Sequence, residues 1–402
     1  MDPRFFSLTT WLTERGLAGD SESTLLNGFC DRLLAAGVPL SRVLVGVDTL
    51  HPTHEGHVFR WGRDVDSIPP REYGRNKQDD PNDQRWQKSP FHHLLQTGGS
   101  VLRRRLTAEI ANEFSVFPDL LKDGVTDYIA MLDRFGPDSA IANMDWVYSS
   151  WATDGDSGFD EPHVDALKEL VPLLVLAVKS ATLTRLAETL VETYLGRDAG
   201  RRVLQGRIMR GVADKIDTVL WFSDLRGFTR ITDTEPEAVI PLLNDYADAV
   251  VSAIHEHGGD VLKFVGDGIL AIFNGSNRVL AAREALAAAA AARRSVAALS
   301  DERKGAGLPT TALYLGLHVG EVFYGNVGSQ TRLDFTVIGP AVNEVSRIAA
   351  MCRSVEQPLL LSAAFVESLP LSNKFVSVGR YALRGVSRAQ ELFTVDPEHQ
   401  LS

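Results

Sequence analysis

The chain has 402 residues, 44% of them hydrophobic, so it has room for two or three domains with packed cores, and wholesale disorder is excluded. Its 41 basic and 52 acidic residues leave a net charge of −11, which argues against nucleic acid or an anionic membrane as the main partner. The only two cysteines, Cys30 and Cys352, lie far apart without a CxxC, a usage that fits a reducing compartment and not a disulfide framework.

The N-terminal MDPRFFSLTTWLTERG has no apolar h-region and no cleavage pattern. The most apolar segment, Leu170–Val178, is bounded by charges and too short to span a bilayer. The expectation is a soluble, cytoplasmic protein with no membrane span. SESTLLNGFCDRLLAAGVP has apolar residues at helical spacing and stops at Gly37 and Pro39. SRVLVGVDTL and GHVFRWGRD read as strands, and the polar stretch from Asp64 to Ser89 as a long loop. SVLRRRL, VTDYIAMLDRFG and AIANMDWVYSSWAT read as further strands or short helices around a small sheet. The layout of residues 1–170 resembles a GAF domain, which implies a sensor or regulatory module taking a small-molecule or protein input. The spacing of His51, His54 and His57 in HPTHEGH would bring two imidazoles to one metal, but Pro52 and Gly56 make this a turn, where exposed histidines are the commoner explanation. Trp146, Tyr148 and Trp151 would line a ligand pocket or, more often for such residues, pack in a core.

From Pro162 to about Arg210 the pattern is helical. Leu176, Leu183 and Leu190 recur every seven residues with Leu186 between the last two, a short seam suited to pairing with the same helix of a second chain. Residues 171–213 are thus expected to form a connecting, dimerising helix and linker, loosened at Gly196 and Gly200.

The chemistry lies beyond this connector. In TVLWFSDLRGFTRITD, Asp224 ends an apolar strand, and Gly227 turns the chain toward a helix at Phe228 and Thr229. The carboxylate offers hard oxygen to Mg²⁺, and the turn's N–H groups face phosphate. The helix in EPEAVIPLLNDYADAVVSAIHEHGG returns the chain to VLKFVGDGILAIF, a β-hairpin with Asp267 at its tip between two glycines. Taken alone, Asp267 is also compatible with an ordinary turn aspartate. The return places Asp224 near Asp267, and divalent cations between them would relieve their repulsion. An alanine-rich helix follows, then TALYLGLHVGEVFYGNVG, read as a strand pair turning at Gly320-Glu321. In LDFTVIGPAVNEVSRIAAM, Pro340 opens a helix on which Asn343 and Arg347 share one face, suited to orienting a ribose and neutralising charge on phosphorus.

FSDLRGFT, KFVGDG, DFTVIG and VNEVSR occur in the order of the class III nucleotidyl cyclase catalytic domain, and residues 214–402 resemble that family. The resemblance implies an α+β chain whose C-terminal domain is ferredoxin-like and palm-type. It implies metal positions at Asp224, Leu225 and Asp267 for two Mg²⁺ or Mn²⁺, and substrate contacts from Phe228 and Thr229. It implies adenine contacts from Lys263 and Thr336, ribose and transition-state roles for Asn343 and Arg347, and a terminal-phosphate contact from Arg384 in YALRG. Pro340 departs from the Asp or Asn that often follows the glycine. Lys263 and Asp267 are too close along the hairpin to serve opposite ends of one nucleotide. The family's solution, a head-to-tail homodimer with shared sites, is therefore expected. The expected reaction is ATP to 3′,5′-cyclic AMP and pyrophosphate, because an ammonium donates to adenine N1 but finds no acceptor at guanine N1–H. The alternatives are a guanylate or dual-specificity cyclase, a diguanylate cyclase (disfavoured because HGGD continues Val-Leu), and a nucleotide-binding module without turnover.

Overall fold

The computed structural model describes residues 5–48, 56–63, 71–73, 81–135, 146–275, 277–370, 374–386 and 388–396. The chain divides into two units, Met1–Leu190 and Val191–Ser402, and mixes helices and strands in both.

The first unit contains α1 (Phe6–Leu17), α2 (Glu22–Ala35), β1 (Arg42–Asp48), β2 (Gly56–Gly62), β3 (Arg71–Tyr73), α3 (Pro81–Gln87), α4 (Pro90–Thr97), β4 (Val101–Arg105), α5 (Phe117–Lys122), β5 (Asp127–Arg134), β6 (Trp146–Thr153) and most of α6 (Glu161–Leu195). Its six strands form an antiparallel sheet in the order β3-β2-β1-β6-β5-β4. The period-two alternation of a strand sends Val43, Val45, Val47, Ile129, Met131 and Trp151 to one face, under α1, α2 and α6. It sends Tyr128, Ala130, Leu132 and Tyr148 to the other, under α4 and α5.

Trp151 is fully buried with its ring edge-on to Phe29 at 5.7 Å, and Tyr148 packs on Phe91 at 5.2 Å across the sheet. These aromatics are core. The segment 64–89 holds the short strand β3 and the helix α3, which the many charged and proline residues concealed. Of the three histidines in HPTHEGH, His51 and His54 lie outside the described residues, and His57 stacks on Phe59.

α6 begins within one residue of the start expected from the helical pattern. Residues 171–178, expected in the connector, include Val171, Leu174, Val175 and Val178 in the first core. Leu176 is 65% exposed and Leu173 and Tyr194 are exposed elsewhere on the helix, but Leu186, expected in the same seam, is buried. By length and composition α6 is also apolar enough to cross a membrane, and 44% of its apolar window is buried within the protein.

The second unit contains α7 (Arg197–Leu204), β7 (Ala213–Leu225), α8 (Phe228–Thr234), α9 (Val239–Glu256), β8 (Asp260–Val265), β9 (Gly268–Phe273), α10 (Arg278–Gly305), β10 (Leu313–Gly328), β11 (Leu333–Ile338), α11 (Pro340–Ser354), β12 (Leu359–Ser362), α12 (Ala363–Glu367), β13 (Phe375–Tyr381) and β14 (Gln390–Val395). Gly196, at φ +86°, separates α6 from α7, while Gly200 sits inside α7. The eight strands run β13-β14-β12-β10-β7-β9-β8, with β11 pairing on β10. α9 and the alanine-rich α10 bury Trp221, Ala271, Phe273, Leu315 and Leu317 on one face. The small alanines at 281, 282, 285, 288, 289 and 292 allow this close approach. Leu220, Leu270, Ile272 and Val322 pack on the other face, toward α11.

β10 is one continuous strand. Gly320 and Glu321, read above as a turn, pair with Thr218 and Asp217 of β7. The glycines serve packing instead. A Cβ on Gly316 would lie 2.8 Å from the Ala349 nitrogen and 2.9 Å from the Val345 oxygen, and one on Gly320 would lie 2.6 Å from the Ala341 Cβ. α11 therefore lies directly on the β10 backbone. Gly316→Ala is expected to lower stability by about 1–3 kcal/mol, as overpacking does, measured by denaturant unfolding.

Candidate active site

β7 ends beside the turn of the β8–β9 hairpin because Ser223 pairs with Ile269. Gly266 takes φ +64° at the first of the two turn residues, and Asp267 is the second. That tight turn aims Asp267 at the end of β7. The Leu225 N–H donates to Asp224 Oδ1 at 3.0 Å and to Asp267 Oδ2 at 3.1 Å, so one backbone donor holds both carboxylates. Burial first, then the adjacent Asp267, pushes the Asp224 carboxyl up from 3.8 to about 7. Two acids that cannot comfortably ionise together are a site that a divalent cation relieves. Leu225 has no polar side chain, so its part in any metal site is played by its backbone.

Among the described residues no cluster of three or more His, Cys, Asp or Glu side chains is placed to hold a metal. The remaining ligands of a hard cation here would be backbone oxygen, water and substrate phosphate, the set Mg²⁺ commonly takes.

Gly227, at φ +73°, opens α8 immediately afterwards. Phe228 and Thr229 fall in its first turn, where backbone N–H groups have no helical acceptor. The half-buried Phe228 side chain packs against the α9 and α10 core, while Thr229 is exposed.

The residues assigned to the base and ribose lie elsewhere in the unit. Lys263, on β8, is 3.4 Å from Asp334 of β11. Thr336 is two residues further along β11 and so on the same strand face. Its Oγ1 is buried without a hydrogen-bond partner, so a base reaches it only if its neighbours move, and would then satisfy it. Asn343 and Arg347 are both on the exposed face of α11. Asn343 lines a cavity of about 580 Å³ with Val337, Gly339, Glu344, Gly385 and Val386. Arg384 stands in the exposed turn beside Gly385, next to that cavity but not lining it.

The structure thus assembles the acidic pair tightly, and borders one cavity with the α11 and 385–386 residues. Sequence reasoning did not single out Asp334, the partner of Lys263. The signal was there: it shares a strand face with Thr336 at i and i+2. It also passed over His318 and Glu344, which pair across β10 and α11.

Residues 212–396 match the family model of the adenylate and guanylate cyclase catalytic domain. This part of the chain is similar to that family. The adenylate cyclase of Anabaena cylindrica is 34% identical over 170 residues, 41% of this chain and 33% of the relative. Adenylate cyclase 1 of Rhizobium meliloti is 30% identical over 205 residues, 50% of this chain and 31% of the relative. The chain spans about a third of the length of these curated relatives. The adenylyl cyclase CyaB of P. aeruginosa covers 48% of this chain and 100% of its own, at 27% identity and a TM-score of 0.43. The matched region, residues 212–396, includes every site residue named above, and the first unit lies outside it.

Proposed function

We propose that the cyclase domain converts ATP to 3′,5′-cyclic AMP and pyrophosphate, at sites shared between two copies of the chain. The observation that carries this reading is the pairing of Asp224 with Asp267 on the Leu225 N–H, in a domain that also holds Lys263, Asn343 and Arg347. In the reaction the ribose 3′-oxygen forms a bond to the α-phosphorus, the bond from that phosphorus to the bridging oxygen breaks, and pyrophosphate leaves. Asp224, Asp267 and the Leu225 backbone would hold divalent metal, two Mg²⁺ or Mn²⁺ in this reading; the metal supplies Lewis acidity at the phosphates and the 3′-hydroxyl.

The chain's own groups do the rest. Leu225 N–H keeps the two carboxylates side by side, and the first-turn N–H groups of Phe228 and Thr229 face phosphate oxygens. Lys263 donates to adenine N1, and Thr336 accepts from the adenine amino group. Asn343 orients the ribose, Arg347 offsets charge building on phosphorus, and Arg384 meets the terminal phosphates. Phe264, Phe323 and Ile338 are exposed on β8, β10 and β11, apolar surface of the kind a second copy would cover.

The first unit fits a GAF-like regulatory module that takes a small-molecule or protein input in the cytoplasm. Its antiparallel sheet between two helical layers supports this. α6 supports a role as connector, because it continues from the first core into Val191–Leu195.

The test is product identification with purified protein, Mn²⁺ or Mg²⁺, and ATP or GTP in parallel. Cyclic AMP and pyrophosphate are expected from wild type, and none from Asp224→Ala. Preferential GTP turnover would assign a guanylate cyclase. Nucleotide binding without pyrophosphate release would leave only a binding module.

A further inference from the structure

α11 carries Asn343 and Arg347, and its fit on the sheet shows what fixes them. Gly316, His318 and Gly320 share one face of β10, the face on which α11 lies. The two glycines let the helix rest on the strand backbone, and His318 is the side chain between them. His318 is buried; its Nδ1 is 2.8 Å from Ser362 Oγ and its Nε2 is 3.4 Å from Glu344 Oε2. Ser362 is itself fixed, capping α12 by accepting from the Phe365 N–H at 3.1 Å. Gln390 of β14 donates to the same Glu344 oxygen at 2.6 Å. Glu344 thus reaches from α11 to two strands, and its neighbour in sequence is Asn343.

α11 also buries Val345, Ile348 and Cys352 against the sheet, apolar contacts that hold the helix down but carry no directional bond. We propose that Glu344, gripped by Gln390 and His318, is a positioning residue that sets the rotation of α11 and so aims Asn343 and Arg347. The carboxylate matters as an acceptor fixed at a point, not as a charge in the reaction. Burial holds the His318 imidazole below its usual value, and the Glu344 carboxylate opposes that shift. The neutral ring then meets Ser362 and Glu344 with one N–H and one lone pair, so its two contacts are distinguishable by tautomer. The cavity bordered by Glu344 and Asn343 lies at this same end of α11, where a small rotation changes the position of the amide.

This inference rests on the cyclase reading for its kinetic arm but has a structural arm of its own. The experiment compares full-length wild type, Glu344→Ala and Glu344→Gln. Glutamine keeps an acceptor oxygen for the Gln390 amide and removes the charge; alanine removes the acceptor. Glu344→Ala is expected to lower kcat tenfold or more with KM for ATP changed less than threefold, and Glu344→Gln to restore activity to within threefold of wild type. Amide hydrogen exchange of the α11 peptides is expected to quicken at least tenfold in Glu344→Ala and to stay near wild type in Glu344→Gln. Equal kcat in wild type and Glu344→Ala, or no rescue by glutamine, or unchanged exchange in α11, would overturn the proposal. If Glu344→Ala does not fold, Glu344→Asp, one methylene short of its partners, takes its place with the same outcomes. Wild-type protein that makes no cyclic nucleotide while α11 exchange responds as described would overturn the cyclase reading and leave the positioning role supported.

Discussion

Asp224→Asn is expected to lower cyclic-nucleotide formation at least 10³-fold, roughly 4 kcal/mol of transition-state stabilisation, and to raise the stability of the metal-free protein. The two effects have one cause. In the folded chain the Asp224 carboxyl is pushed up to about 7 from 3.8, so its ionisation opposes folding. The folded state holds the proton more tightly than the unfolded state, so stability falls as pH rises from about 4 to about 7, and the full cost stands above about 7. For a fully buried acid that shift would correspond to about 4 kcal/mol, but Asp224 is half-exposed and screened by solvent, which leaves about 1–2 kcal/mol. Asparagine carries no charge to bury. In chelator, urea unfolding should therefore show Asp224→Asn more stable than wild type at pH 8 and indistinguishable from it near pH 4. The same proton competes with metal, so the apparent affinity for Mn²⁺ should weaken as pH falls below about 7. A variant that is inactive but no more stable at pH 8 would show that the two acids are not in conflict in the folded chain.

Mixing two inactive variants is expected to restore activity. Asp267→Ala removes a metal carboxylate, and Arg347→Ala removes the guanidinium on α11. Each alone should lose at least about 10²-fold, because each spoils both equivalent sites of a symmetric pair. In a random equimolar mixture half of the pairs are mixed, and a mixed pair has one intact site out of two. Activity of about a quarter of wild type is then the ceiling. The measurement is a titration of one variant into the other at fixed total protein, following pyrophosphate release. Recovery peaking at equal amounts supports shared sites. A mixture as inactive as its parts would mean that each chain completes its own site, and the head-to-tail assembly would be abandoned.

Much of the second unit can be read from the sequence because its elements are local and strongly patterned. The hairpin of β8 and β9 is announced by apolar runs on either side of Gly-Asp-Gly, and α9 and α10 by long helical periodicity. The approach of Asp224 to Asp267 follows from the return path between them. Gly320 was misread because a glycine within an alternating run signals either a turn or a close neighbour, and here Ala341 of α11 is the neighbour. The part of α6 that joins the first core could not be told from the rest because its apolar residues that face that core and those that face outward follow the same helical spacing. Burial alone separates Leu186 from Leu176. His318 and Glu344 were invisible for a simpler reason. Each matters through a partner far away in sequence, as Glu344 does through Gln390, and no spacing rule reaches that far.

β8 closes one edge of its sheet, and Phe264 and Val265 on it are 59% and 47% exposed. A short apolar border of this sort is a template for unwanted strand pairing when nothing shields it. A copy with that border uncovered would be prone to clumping, and replacing Phe264 and Val265 with lysine should raise the fraction that stays in the supernatant on centrifugation.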